Sequence, residues 1–203
     1  MRPDQTVVCE TFPCQDVRHE CFSVPGVTIR PEEIAMLMIS EAAPENPADG
    51  YYAGGEPLFA QTTLLAFADA GVPARNVKEL LGKGIYLTTA VKCAKTSYAI
   101  QTGTLKQCSL LLASEVALFP NVRVILLMGD VAIRALNEIA RRAGEGRVIP
   151  AGPTYKLREQ AYHWHGARVF PSYLQAGPSF FIEKTKRKMI AEDIAAAMRL
   201  IER

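Results

Sequence analysis

The chain has 203 residues, 49% hydrophobic and 22% charged, a mixture that excludes wholesale disorder, a collagen-like repeat and a coiled coil. Its length lies above the usual single-domain mode of roughly 100–150 residues and below the size at which cores split, so one domain over 1–203 is expected. Lysine and arginine total 23 against 21 acidic residues, so any basic surface for a polyanion must be local.

The amino-terminal segment, 1–30, is polar and irregular and carries Cys9, Cys14 and Cys21. Met1-Arg2-Pro3-Asp4 leads into it without the apolar core of a signal peptide, and no stretch approaches the ~20 apolar residues that span a bilayer. A cytoplasmic location with no membrane partner is therefore expected. The cysteine total of five is odd for a chain of this kind, which argues against a disulfide framework and for free thiols or metal ligation.

The apolar run Ala35 to Ser40 reads as a buried strand stopped by Pro44. Pro57 to Ala70, closed by Gly71, reads as a helix. A second strand is expected from Ile85 to Val91, where threonine, tyrosine and β-branched residues gather. Leu105, Cys108, Leu112, Val116 and Phe119 then fall on one helical face. Val122 to Met128 is the plainest strand of the chain, followed by a helix striped with Ala132, Ala135, Leu136, Ile139 and Ala140. A fourth strand, Ala167 to Phe170, and a terminal helix marked by Ile190, Ile194, Ala197, Met198 and Ile201 complete the pattern. Four alternations of strand and helix imply an α/β fold, a doubly wound three-layer αβα arrangement around a mainly parallel four-stranded sheet. Function in such sheets lies beyond the carboxyl ends of the strands: Ser40 to Gly50, Thr89 to Lys95, Gly129-Asp130 and Pro171 to Ser179.

Ordered through the chain, Ser40-Glu41-Ala42-Ala43-Pro44, Gly55-Glu56-Pro57-Leu58-Phe59, Tyr86 through Cys93, Cys108, Val124 through Ala132 and Val169 through Tyr173 resemble the motifs of the uracil-DNA glycosylase superfamily, in its iron-sulfur-containing type. The resemblance covers roughly residues 30–200. It implies cleavage of an N-glycosidic bond in DNA after the nucleotide is extruded, releasing a deaminated or damaged base. Glu41 would be the carboxylate that positions water or stabilises the cationic sugar, and Phe59 the ring that stacks on the base. Ala42, Pro44, Thr89 and Ser172 complete the substrate-binding set that the resemblance implies. It also implies a 4Fe–4S cluster, for which Cys93 and Cys108 supply one pair of thiolates, and Cys14 with Cys21 or Cys9 with Cys14 the other; zinc is the alternative metal. Cys14 and Cys21 are the expected partners, Cys21 lying nearer the first strand.

Two departures bear on chemistry. Thr89 stands where the family has asparagine to read the pyrimidine edge. After Pro171-Ser172-Tyr173 the family has His-Pro-Ser, whereas this chain has Leu174-Gln175-Ala176, leaving Gln175 as a neutral donor in the histidine's stead. These losses also fit a non-catalytic module that kept the fold to bind a nucleobase, a nucleic acid or a partner protein. Lys184, Lys186, Arg187 and Lys188 form the strongest basic run and are candidates for phosphate contact. The pair His163 and His165, flanking Trp164, reads as structural.

Overall fold

The computed structural model describes residues 1–202. Six strands form one sheet: β1 (Val17–Arg18), β2 (Met36–Ala43), β3 (Ile85–Lys95), β4 (Val124–Met128), β5 (Tyr162–Trp164) and β6 (Ala167–Ser172), in the order β1-β3-β2-β4-β6-β5. The four inner strands are parallel, and they are the four that the apolar runs predict. The expected four-stranded sheet is corrected to six by β1 and β5, which pair antiparallel on the two edges. With two and three residues respectively, neither is long enough to leave a period in the sequence.

The fourth parallel strand runs on through Pro171, past the expected end at Phe170. β5 begins at Tyr162, opposite Val169, so the missing proline N–H falls beyond the edge partner. A tight turn with His165 (φ 47) and Gly166 (φ 83) joins β5 to β6. The rings of Trp164 and His165 stack at 4.1 Å, and both side chains bond to Glu145, at 2.8 and 2.7 Å. Of the two histidines that flank Trp164, His163 is exposed on β5 and His165 lies in the turn rather than on the strand.

Helices cover both sheet faces. α3 (Thr102–Val116) and α4 (Asp130–Arg142) pack one face through Leu105, Leu112, Ala132 and Leu136, against Leu37, Ile39, Ile125 and Leu127. α1 (Leu58–Asp69), α2 (Val77–Gly82) and α7 (Lys184–Ile201) pack the other through Phe67, Leu80, Ile190 and Ile194, against Met36, Met38, Leu126 and Phe170. β2 from Met36 to Ile39 and β4 throughout are apolar toward both layers, which explains their unbroken hydrophobic runs. Two further short helices are α5 (Thr154–Leu157) and α6 (Ser179–Ile182). Among the described residues, no helix is long and apolar enough to cross a membrane.

The amino-terminal segment lies along the outer edge of β3. β1 covers only Ala94 and Lys95; farther down the edge, Ser23 N–H donates to Lys92 O at 2.7 Å and Leu87 N–H donates to the Tyr52 hydroxyl at 2.9 Å. Val17 and Ile29 enter the hydrophobic core.

Among the parallel strands the spatial order is second, first, third, fourth, so the chain leaves β2 in opposite directions toward β3 and β4. That divergence is a topological switch point, and it opens a crevice beyond the carboxyl ends of β2 and β4.

Candidate active site

Glu41 stands at this switch point. β2 continues to Ala43, three residues past the expected end, so Glu41 sits on the strand and not in the following loop. Its Oε2 accepts a hydrogen bond from Lys95 Nζ at 3.1 Å, and its Oε1 lies 3.5 Å from Val131 N in the first turn of α4. The side chain passes over Gly129, whose φ of +105° is open to glycine and strained for other residues. A Cβ at Gly129 would stand 2.6 Å from Glu41 Oε1, so the absence of a side chain there is what makes room for the carboxylate.

Two clefts flank this end of the sheet. A cleft of about 940 Å³ is lined by Ala43, Pro44, Tyr51, Phe59 and Thr89. A second, of about 600 Å³, is lined by Glu41, Lys95, Tyr98, Ser172, Lys186 and Arg187. The residues that the sequence grouped into one site are therefore divided. Pro44, Phe59 and Thr89 share the larger cleft, whereas Glu41 and Ser172 face the smaller; Ala42 is buried and lines neither.

Under the larger cleft lies a polar network that the motifs did not reveal. Gln175 is fully buried, with its Nε2 at 2.9 Å from the Tyr51 hydroxyl, 3.1 Å from Ser40 Oγ and 3.4 Å from Thr63 Oγ1. Its amide is committed to these internal partners and faces neither cleft, which corrects the expectation of a donor aimed at a departing base. Leu174, at the histidine position of the motif, brings no polar group. Burial pushes the Tyr51 phenol up to about 12, against the opposing hydrogen bonds from Ser40, Gln175 and Thr63, so it remains a neutral hydroxyl. Its ring meets Phe59 at 5.4 Å.

Thr89 is held from below. The fully buried Lys92 donates to the Thr89 carbonyl, to Thr88 Oγ1 at 2.9 Å and to Glu115, whose Oε1 accepts the hydroxyls of Tyr86 at 2.8 Å and Thr88 at 2.9 Å. Beneath the smaller cleft, Ser172 Oγ donates to Asp193 at 2.5 Å, and Arg158 forks onto the same carboxylate. Burial outweighs these partners and raises the Asp193 pKa. Ser172 thus anchors the β6 end to α7, buried at the floor of the smaller cleft.

Of the basic run, Lys186 and Arg187 line the smaller cleft. Lys186 pairs with Glu183 and lies 5.4 Å from the Tyr173 ring; Arg187 forks onto Asp69 and covers the Phe180 ring at 4.8 Å. Lys184 and Lys188 are exposed and form no ion pair among the described residues. The motifs missed Lys95, whose signal was its position at the carboxyl end of a predicted strand.

Cys93 and Cys108 are buried in the core on the α3 side of β3, with Cys14 packed against it. Burial pushes Cys93 up to about 12, and the thiols of Cys108, Cys9, Cys14 and Cys21, in that order, add like-charge opposition. Burial likewise raises Cys108 to about 11, with Cys14 and Cys9 contributing. Cys21 Sγ turns away, donating to Glu45 O at 3.2 Å. The thiols share a neighbourhood without closing on a point: among the described residues, no three His, Cys, Asp or Glu side chains converge on one metal ion.

The fold is a doubly wound α/β sheet with a carboxylate at its switch point, a ring-lined cleft on one side and a cleft of paired charges on the other. The family model of the uracil DNA glycosylase superfamily matches residues 36–195, and the chain belongs to that superfamily. Its function is accordingly DNA glycosylase-like in general. The match begins at β2, so the cysteine-bearing segment lies outside it. No curated protein matches the chain.

Proposed function

We propose that the protein releases a deaminated or damaged base from DNA by hydrolysing the N-glycosidic bond, with Glu41 as the carboxylate of the reaction. The observation that carries this reading is Glu41 at the switch point, lining a cleft and fixed by Lys95 and the start of α4. The extruded base would occupy the larger cleft against Phe59, with Thr89 and Pro44 beside it. The sugar and phosphates would run through the smaller cleft, past Lys186 and Arg187. In the reaction, water oxygen bonds to the anomeric carbon as the carbon–nitrogen bond breaks; the electron pair leaves with the base, and the proton that the water gives up ends on that base. Glu41 orients the water and opposes the positive charge that builds on the sugar.

The five free cysteines outnumber the four thiolates that the 4Fe–4S cluster implied by the resemblance would require. Cys14, Cys93 and Cys108 would supply three ligands. Cys9 is the fourth in this reading, because the Cys21 thiol is already bonded to Glu45 O. The bound group would serve as a structural anchor for the amino-terminal segment.

A second reading has its own observation. Buried Gln175 and apolar Leu174 leave the histidine position without a donor for the departing base, as a binding module would. Abasic-site formation on single- and double-stranded oligonucleotides carrying uracil, hypoxanthine or xanthine separates the two. Release that is lost in Glu41→Gln, with folding retained, is the expected result. Release that persists in Glu41→Gln removes Glu41 from the mechanism, and tight binding without release by the wild type selects the binding module.

A further inference from the structure

The rim of the smaller cleft carries a side chain that neither the core nor bond cleavage uses. Tyr98, in the loop between β3 and α3, is 96% exposed. Its loop is nevertheless tied down at both ends. The Thr96 N–H and hydroxyl donate to Asp16 O at 3.1 and 3.0 Å, Gln101 N–H donates to Asp16 Oδ2 at 2.7 Å, and the Thr104 hydroxyl donates to the other oxygen of the same carboxylate. Inside the loop, Ser97 Oγ donates to Ala99 O at 3.0 Å. Lys95, the partner of Glu41, also reaches Tyr98 O at 3.4 Å and stands 5.7 Å from the tyrosine ring.

An aromatic ring held out in water on an anchored loop buries nothing in the free protein. Its backbone entropy is already spent, so a flat partner arriving on the ring loses little more in ordering. Lys95, Arg134, Lys186 and Arg187 line the cleft beside it, each paired with a carboxylate (Glu41, Asp130, Glu183 and Asp69) from which a phosphate could draw it, and exposed Phe181 and Ile182 stand on the neighbouring helix α6. Rings and apolar side chains interleaved with cations match single-stranded nucleic acid, whose bases offer free faces and whose phosphates need cations. In a closed duplex those faces are already stacked.

We propose that Tyr98 is a stacking platform for an unpaired base, one that flanks the nucleotide at Glu41 on a single strand threading the smaller cleft. The inference rests on the reading of that cleft as a nucleic-acid site and adds the strandedness of the ligand. Asp16 and Lys95 act as positioning residues, because they set the loop that aims the ring.

The test measures binding of a fluorescein-labelled, undamaged oligodeoxynucleotide of about 15 nucleotides, single-stranded and as a duplex, by anisotropy across a salt series. Tyr98→Ala is expected to weaken single-strand binding about 5- to 150-fold, with duplex affinity altered by less than about twofold. The salt slope stays unchanged, since tyrosine carries no charge, whereas Lys186→Ala lowers it by about one. Tyr98→Phe restores the affinity. A strand carrying 2-aminopurine shows fluorescence quenching with the wild type and Tyr98→Phe, and none with Tyr98→Ala. Equal losses on both ligands, no loss on the single strand, or failure of Tyr98→Phe to restore binding each overturns the proposal, as does a wild type that ignores the single strand. Base release accompanied by Tyr98-indifferent binding overturns the stacking proposal alone. Tyr98-dependent binding with no release from any lesion upholds it and rejects only the excision reading.

Discussion

Replacing Glu115 with glutamine removes the charge opposite Lys92 while keeping the size and an acceptor oxygen for Tyr86 and Thr88. Lys92 has no exposed surface and Glu115 is 1% exposed, so the ammonium would be left with two neutral acceptors, Thr88 Oγ1 and the Thr89 carbonyl. Water cannot reach it to help. Breaking a buried ion pair from one side costs about 3–5 kcal/mol. For a chain of this size that corresponds to roughly 6–20 °C in melting temperature. The assay is chemical denaturation of the wild type, Glu115→Gln, Lys92→Met and the double variant, read by far-ultraviolet circular dichroism. The double variant carries no buried charge and should recover much of the loss, giving a coupling of about 0.5–3 kcal/mol. A single-variant loss below about 1 kcal/mol, or a double variant as unstable as the sum of the singles, would refute the argument. The pair also grips the carbonyl of Thr89, so variants that still fold should bind a nucleobase less tightly in the larger cleft.

Gly129→Ala places a methyl group where Glu41 now lies and imposes a φ that alanine resists. A stability loss of about 1–3 kcal/mol is expected by denaturant titration, with base release falling toward the level of Glu41→Gln; full activity would show that the carboxylate has another place to go. Among the cysteines, Cys9→Ser and Cys93→Ser should each abolish bound iron and the broad absorbance near ~400 nm, whereas Cys21→Ser should retain both. Iron lost with Cys21→Ser but kept with Cys9→Ser would reassign the fourth ligand.

The parallel strands were legible because a strand covered on both faces must be apolar at every position, as Met36 to Ile39 and Val124 to Met128 are. Their order was not, since periodicity carries no information about neighbours; only the arrangement β3-β2-β4-β6 brings Glu41 to Gly129. Motif order identified Glu41, Phe59 and Thr89, but strand alternation sent Glu41 toward one helical layer and Ser40 toward the other, dividing the expected site between two clefts. The burial of Gln175 is not legible, because a polar residue near a motif gives no sign of whether it faces a cleft or a buried serine and tyrosine. α2 carries a capping signal in its sequence: Asn76 caps it by accepting from Glu79 N–H at 3.1 Å, and Glu79 accepts from Arg75 N–H at 2.9 Å.

The outer edge of β3 carries a further consequence. An eleven-residue strand with one open side is a template on which any extended peptide can add, and lengthy bare edges are where folded proteins begin to polymerise. Here β1 pairs with only two of its residues, and the rest of the shield is piecemeal: one amide from Ser23, one phenol from Tyr52. Loss of the cysteine-bearing segment would leave Lys92, Ala94 and Lys95 without these partners and the edge bare to an added strand.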